Sequence, residues 1–425
     1  MFKNYVSIAK ISLNEVSSSL KQLFSLLKGN VGIMVLSWFL YGVAGGLSGN
    51  YFSLYFKDLG GTDLMLASAR STALLVGSIM IFIGGFLTDI IGRVKTILIG
   101  TALVTINTFI YAIARNANEL AVLMILDNAF HFYQPALTAI IMDSLPRDRA
   151  LMGFFATQIF PSIPGLFAPL IGGILYDKVG VNGIRIGYVI AGIISSYVLY
   201  LRIRFLRETL LKNTNRDLEH IFIEVFHYRY HFINAMKIYV YTGFLGPLIT
   251  AVSSVYGMIY AYEILGVSKT FLGLLSTLGT SISIISSLAL AGRIRNVRKV
   301  LPISLSMVSL SQVLYALPYY VGYRNIFLIA STIVGSAAGV AIGPVIQTII
   351  MNTLPREVRG RGIGFQRVFE NASASIVTMV AGLLYIKLGG PRSLLLSPLF
   401  ATVAISYLLF ITQVSSSVED LNSKH

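Results

Sequence analysis

Ile140–Phe154 reads IIMDSLPRDRALMGF, and Ile349–Ile363 reads IIMNTLPREVRGRGI. Seven of the fifteen positions are identical at a constant offset of 209 residues. The register continues without a gap. Phe160, Gly173, Leu175, Tyr176, Lys178 and Gly180 fall on Phe369, Gly382, Leu384, Tyr385, Lys387 and Gly389, and Pro135 falls on Pro344. Self-similarity at a fixed distance means that one structural unit occurs twice.

Composition says what kind of unit it is. Of the 425 residues, 55% are hydrophobic and only 12% charged. That is about half the share of charge in a soluble domain, so a large soluble globular fold is excluded, and so is disorder. The absence of cysteine excludes disulfide scaffolds, thiolate metal sites and thiol catalysis. A membrane-spanning helix needs about 20 mostly apolar residues. Twelve such stretches, numbered here as spans 1 to 12, lie near 31–56, 64–88, 96–114, 119–142, 152–176, 187–203, 238–262, 269–291, 301–322, 325–352, 362–386 and 393–413. Spans 4–5 repeat as spans 10–11. With six spans between equivalents, both copies cross the bilayer in the same direction.

The expected fold is therefore an all-α membrane protein of 12 transmembrane helices in two parallel six-helix bundles. Its parts are an amphipathic N-terminal segment over 1–30, a first bundle over 31–203, a linker over 204–236, a second bundle over 237–413 and a tail over 414–425. Residues 1–30 lack the apolar core and cleavage site of a signal peptide. Lys and Arg set the orientation. With both termini cytoplasmic, 23 of the 33 Lys and Arg fall in inside segments and 8 in outside ones, Arg202 and Lys269 being counted among these loop charges. The net charge of +15 is then topogenic and faces anionic lipid, so no nucleic-acid partner is expected.

One motif stands out between spans 2 and 3: Gly85-Phe-Leu-Thr-Asp89-Ile-Ile-Gly92-Arg93-Val-Lys95. Asp89 sits at a helix C-terminus, where the dipole disfavours an anion, so it needs an external partner. Gly92 permits a left-handed turn, and Arg93 and Lys95 hold the loop inside.

This motif, with the six-plus-six duplication, resembles the major facilitator superfamily over nearly the whole chain. The resemblance implies a secondary transporter working by alternating access. It also implies a cytoplasmic gate in which Asp89 caps span 11 of the other half and Arg93 pairs with Asp143 at the inner end of span 4. The second copy, between spans 8 and 9, has Arg293 in place of the aspartate and Asn296 in place of the glycine. Arg147 and Arg149 begin span 5 and are either topogenic or gate contacts. Span 5 carries Pro164-Gly165-Leu-Phe-Ala168-Pro169-Leu-Ile-Gly172-Gly173, similar to the family's antiporter motif, although Pro164 and Ala168 replace two glycines. Its small residues also suit ordinary close packing, as do Gly335, Gly339 and Gly343 before Pro344 in span 10.

Ionisable groups inside spans are costly and are functional candidates by default. Asp127 and His131 stand at i and i+4 in span 4 with Gln134 nearby, and could relay a proton or form a self-satisfied contact. In span 11, Arg367 and Glu370 stand at i and i+3 beside Asn371, close enough to neutralise each other. Arg70 in span 2 is either an interfacial residue or an anchor for Asp127 or an anionic substrate. Asn50, Tyr51 and Tyr256 are candidate hydrogen-bonders in a cavity. His220, Glu224, His227 and His231 in the linker share a helical face, but one straight helix cannot wrap a metal, so no metal site is expected.

No Walker A, HExxH or nucleophile-elbow sequence is present, so neither an enzyme nor a cofactor is expected. The expectation is a multi-pass protein of the cell membrane, a monomer. It carries a small-molecule substrate with protons, and efflux is slightly favoured by span 5. Proton-coupled uptake, and a receptor that keeps the transporter fold without coupled transport, are the alternatives.

Overall fold

Helix starts and stops follow the chain's punctuation in the computed structural model, which describes residues 28–144, 160–210, 229–290, 297–353 and 359–422. The Thr62 hydroxyl caps helix Asp63–Ile91 by accepting from Met65 N at 3.2 Å, and Asn116 caps Ala117–Phe130 through Glu119 N at 3.0 Å. The repeat-related Gly180 and Gly389 follow the ends of spans 5 and 11 at φ of +63° and +79°, a region that favours glycine.

Ten helices among the described residues are long and apolar enough to cross a membrane, from Gly29–Asp58 to Gly390–Phe410. They carry exposed Phe82, Ile113, Ile193, Ile285 and Phe410 outwards and bury tyrosines and hydroxyls inwards, as a multi-pass membrane protein does. The fourth and fifth stretches are not among the ten. The fourth runs as Ala117–Phe130, a 3-10 turn at His131–Tyr133 and then Gln134–Ser144, broken just before Pro135, which lacks a backbone donor. The fifth has a 3-10 turn at Ile163–Leu166 around Pro164 before helix Ala168–Val179. Span 7 contains two π-helical turns, Tyr241–Leu245 and Tyr260–Ile264, a rare geometry that recurs at functional sites.

Packing shows the repeat where sequence identity does not. Tyr51 of span 1 meets Tyr176 of span 5 edge-on at 6.0 Å, while Tyr256 of span 7 stacks on Tyr385 of span 11 at 4.2 Å. Tyr55 donates to the Tyr111 carbonyl at 2.9 Å, and Tyr260 donates to the Ala316 carbonyl at 3.1 Å. Tyr51, Tyr55 and Tyr111 correspond to Tyr256, Tyr260 and Ala316 at an offset of 205 residues.

The sequence halves meet where span 2 packs on span 11 and span 5 on span 8. Ser71 Oγ donates to Ser375 O, and Ser78 Oγ to Val368 O, both at 2.8 Å. Between spans 1, 5 and 8 the backbones nearly touch. A Cβ on Gly173 would sit 2.5 Å from Lys269 O, one on Gly273 2.5 Å from Pro169 O, one on Gly172 3.0 Å from Gly46 O, and one on Gly165 2.9 Å from the Thr280 side chain. In span 10 the packing expectation holds only for Gly335, whose Cβ would meet Ser311 Oγ at 2.8 Å; Gly339 and Gly343 face open space. The chain also bends there, between helices Arg324–Gly339 and Ile342–Thr353.

Gly173→Ala should therefore destabilise the protein by about 1–3 kcal/mol, because backbone must move to admit a methyl group. Gly339→Ala, in open space, should be neutral or slightly stabilising, since alanine favours helix. Thermal unfolding of the two variants in detergent checks the contrast.

Candidate functional site

Span 5 ends on Asp177, an anion at a helix C-terminus that needs a partner from elsewhere. The partner is the start of span 8 in the other sequence half. Asp177 Oδ1 accepts from Lys269 N at 3.0 Å and Oδ2 from Thr270 N at 2.6 Å, so the carboxylate caps that helix. The Lys269 side chain then turns back into the first half. Its Nζ lies 3.2 Å from Asp58 Oδ2, 3.4 Å from the centroid of the Tyr176 ring and 4.8 Å from that of Tyr262, with the side chain 7% exposed. Tyr176 donates to the same Asp58 oxygen at 2.6 Å. Lys57 adds a bridge to Asp63 at 3.0 Å and a longer one to Glu263 at 3.9 Å, and Tyr256 donates to Asp63 O at 2.7 Å. Lys269 is thus a buried, paired ammonium and not the loop charge it resembles in the sequence. The halves are latched at this end by polar contacts, and those can be exchanged for water.

At the other end Arg93 forms an ion pair with Asp143 and donates to Thr209 Oγ1 at 2.8 Å and Ala139 O at 3.3 Å. The Asp89 side chain, Arg147 and Arg149, the 291–296 loop and the side chains of the linker His/Glu pattern lie outside the described residues, and Lys95 is exposed. Gly92 has φ of 95° and ψ of 159°, so its turn is the extended positive-φ form open to glycine and not the left-handed helical one expected. A second reason for glycine is Glu208, whose Oε2 would lie 2.8 Å from a Cβ there. Glu208 caps span 3, with Oε1 accepting from Arg93 N at 3.2 Å and Oε2 from Val94 N at 3.0 Å. Partial burial raises the Glu208 carboxyl's pKa, but backbone N–H groups of Leu210, Val94, Arg93 and Thr209 outweigh it and hold the group below its ordinary range. Asn30 adds a reciprocal pair with the Arg207 backbone, at 2.8 and 2.9 Å. Residues after span 6 are thereby tied to spans 1 and 3.

Between the two ends lie the groups expected to face a cavity. His131 Nδ1 lies 2.6 Å from Asp127 O, a carbonyl that can only accept, so Nδ1 carries the hydrogen. Asp127 Oδ2 is 3.8 Å from the same nitrogen, and its Oδ1 accepts from Asn107 Nδ2 at 3.4 Å. The aspartate therefore faces span 3 of its own half. Gln134 is half-buried beside this pair. Four expectations change. Arg367 is exposed and forms no ion pair with Glu370, whose Oε1 accepts instead from Gln366 Nε2 at 2.7 Å. Arg70 does not reach Asp127; Nη1 donates to Ser254 O of span 7 at 3.3 Å. Tyr51 and Tyr256 are fully buried, with their hydroxyls spent on Pro169 O at 2.5 Å and Asp63 O. Arg202 is not a loop charge but completely buried inside the first half. Asn50 is exposed and Asn371 is half-buried. Gly85 faces open space. No group of metal-ligating side chains forms among the described residues.

A family model described as Major Facilitator Superfamily matches residues 33–295 and 231–424. No curated protein matches by sequence. Among solved structures, the nucleoside transporter NupG aligns with a TM-score of 0.72 at 12% identity, covering 90% of this chain and 99% of that one. A D-xylose-proton symporter aligns at 0.70 and 14%, covering 90% and 96%, and the peptide transporter POT at 0.70 and 16%, covering 94% and 95%.

Two outcomes follow from the ends. Asp177→Asn leaves one acceptor for two N–H groups and removes the charge at the start of span 8, a loss of about 1 kcal/mol. A cysteine at Ser375, buried and hydrogen-bonded across the halves to Ser71, should then react several-fold faster with a membrane-impermeant maleimide, and the chain has no other cysteine to interfere. Glu208, with its folded pKa depressed, contributes stability above the ordinary carboxyl value of 4.5 and loses it as pH falls through the lower folded value. Glu208→Ala should lower the unfolding temperature at neutral pH and flatten its decline below about pH 4.5.

Proposed function

The chain belongs to the Major Facilitator Superfamily, and on that premise we propose that it is a secondary active transporter of a small polar molecule, working by alternating access. The observation that carries the reading is the latch: Asp58, Tyr176 and Asp177 of one half hold Lys269 and Thr270 of the other by contacts that water can replace. Twelve crossings with both termini cytoplasmic put this latch outside and the Arg93–Asp143 pair inside. The protein then rocks between a form latched outside and one closed inside by Asp89 on span 11, with the Arg93–Asp143 pair of the first half, already made in the latched form, holding the Asp89 loop in place. The two bundles, 31–203 and 237–413, work as a monomer in the cell membrane.

Proton coupling falls to Asp127, His131 and Glu370. With its Nδ1 hydrogen on a carbonyl, His131 has Nε2 available to take a proton, and the Nδ1 hydrogen is then the one released to Asp127 Oδ2, 3.8 Å away. Glu370, held by Gln366, is the acid of the second half. Asn50, Asn371 and Arg367 offer donors and charge to a polar solute, a class in keeping with the nucleoside, xylose and peptide transporters of the same fold. Efflux by proton antiport is slightly favoured over uptake by the similarity of span 5 to the antiporter motif.

Liposomes with an imposed pH gradient and an internal pH dye test this directly. A small polar member of a pool of metabolites should evoke proton movement, and lipophilic cations should not. Asp127→Asn or Glu370→Gln should lower it at least tenfold while the protein remains folded. Substrate movement without proton flux would point to uniport and would assign both acids to structure.

A further inference from the structure

Arg202 of span 6 is completely buried. Its Nη1 donates to Thr101 Oγ1 at 2.5 Å and its Nε to Ser37 Oγ at 3.4 Å, while Nη2 has no acceptor among the described residues. It makes no ion pair among the described residues. Two rings flank it: the guanidinium carbon is 5.5 Å from the centroid of Tyr41 and 5.8 Å from that of Tyr133. The Tyr133 ring is in turn stacked on His131, with centroids 5.8 Å apart and planes at 21°, and His131 adjoins Asp127. Asp127, His131, Tyr133 and Arg202 form one row through the first half, and the Tyr133 hydroxyl lies in the field of both charges.

Hydroxyl partners alone do not call for a guanidinium. It is always protonated, and burying its charge is costly unless something balances it. Aromatic faces balance it in part. The remainder acts over a longer range than in water, because the surroundings have a low dielectric constant. Asp127 is the anion at the other end of the row.

We propose that Arg202 is the counter-charge of Asp127, acting through the Tyr133 ring, and so fills the role that the sequence offered to Arg70. With Asp127 ionised and His131 neutral the row carries no net charge. Taking up a proton makes it cationic, and that change in net charge is what the rocking halves can sense. The other titratable groups facing the row are Tyr41 of span 1, Tyr111 of span 3 and Tyr188 of span 6, all of a type ionised far above neutral pH. Span 2 faces this region with Met80 and Leu87. Arg202 is thus a positioning residue for the coupling pair, and the inference rests on the reading of Asp127 and His131 given above.

A double-mutant cycle tests it in the full-length protein. Asp127→Asn and Arg202→Gln should each destabilise it, and the double variant should be more stable than the less stable single one. Additive losses would overturn the proposal. If Arg202→Gln does not fold, folding of the double variant supports the pairing, and failure of both counts against it. Trp38, the sole tryptophan, packs against the cluster that contains Tyr133, so its fluorescence reports on the row. Its pH transition, absent in His131→Gln, should move up by about one pH unit in Arg202→Gln, a tenfold change in proton concentration, and return in Arg202→Lys. An unmoved transition in folded Arg202→Gln would make the residue structural only. Proton flux in liposomes by Asp127→Asn is a separate readout: wild-type flux would fault the coupling reading, and a non-additive cycle would still establish the charge pair.

Discussion

A carboxylate at the wrong end of its own helix needs a positive partner, and Asp177 finds one in the first turn of span 8. Much of the arrangement depends on this cap. It brings span 5 onto span 8, which is possible only because Gly173 and Gly273 let the two backbones approach. The same approach draws Lys269 under Tyr176 and onto Asp58, and Tyr51 onto the Pro169 carbonyl. Each of these contacts is polar, so water can replace it at little cost. A closure that opens and recloses, as proposed here, needs that property, and a hydrophobic seal does not offer it.

The opposite end uses the same chemistry within one half. Glu208 caps span 3, Arg93 holds Asp143 and Thr209, and Asn30 holds the backbone at Arg207. The chain leaving span 6 is consequently tied to the loop after span 2. A movement of the linker that joins the halves reaches Arg93 through a few hydrogen bonds. The expected Arg93–Asp143 pair is one strand of a larger clamp.

The fold was legible because its signals are long. Twenty-residue apolar runs, ten of which are helices among the described residues, and a repeat in constant register survive uncertainty in helix rotation. The site was legible only in part. Asp127 beside His131 follows from spacing along one helix. Which way that face points does not, and Asp127 turns to span 3. Arg367 and Glu370 have the right spacing for a pair, yet Gln366, one turn from Glu370, takes the carboxylate instead. Arg202 and Lys269 lie at span ends, where a basic residue normally marks topology, and only the packing shows them buried. Their signal was present: Arg202 falls inside an apolar run, and Asp177 poses the same dipole problem that singled out Asp89. Glu208 had no signal, because its partners come from a loop more than a hundred residues away.

The central claim is that the two halves are latched at one end by Asp177 and Asp58 and that this latch opens in the working cycle. Spin labels on cysteines at the exposed, repeat-related Lys178 and Lys387 would measure it by pulsed electron resonance, with no native cysteine in the way. The account predicts a short distance and a longer one in equilibrium, with the longer one gaining population in Asp177→Asn. A single distance, the same in both proteins, would contradict it.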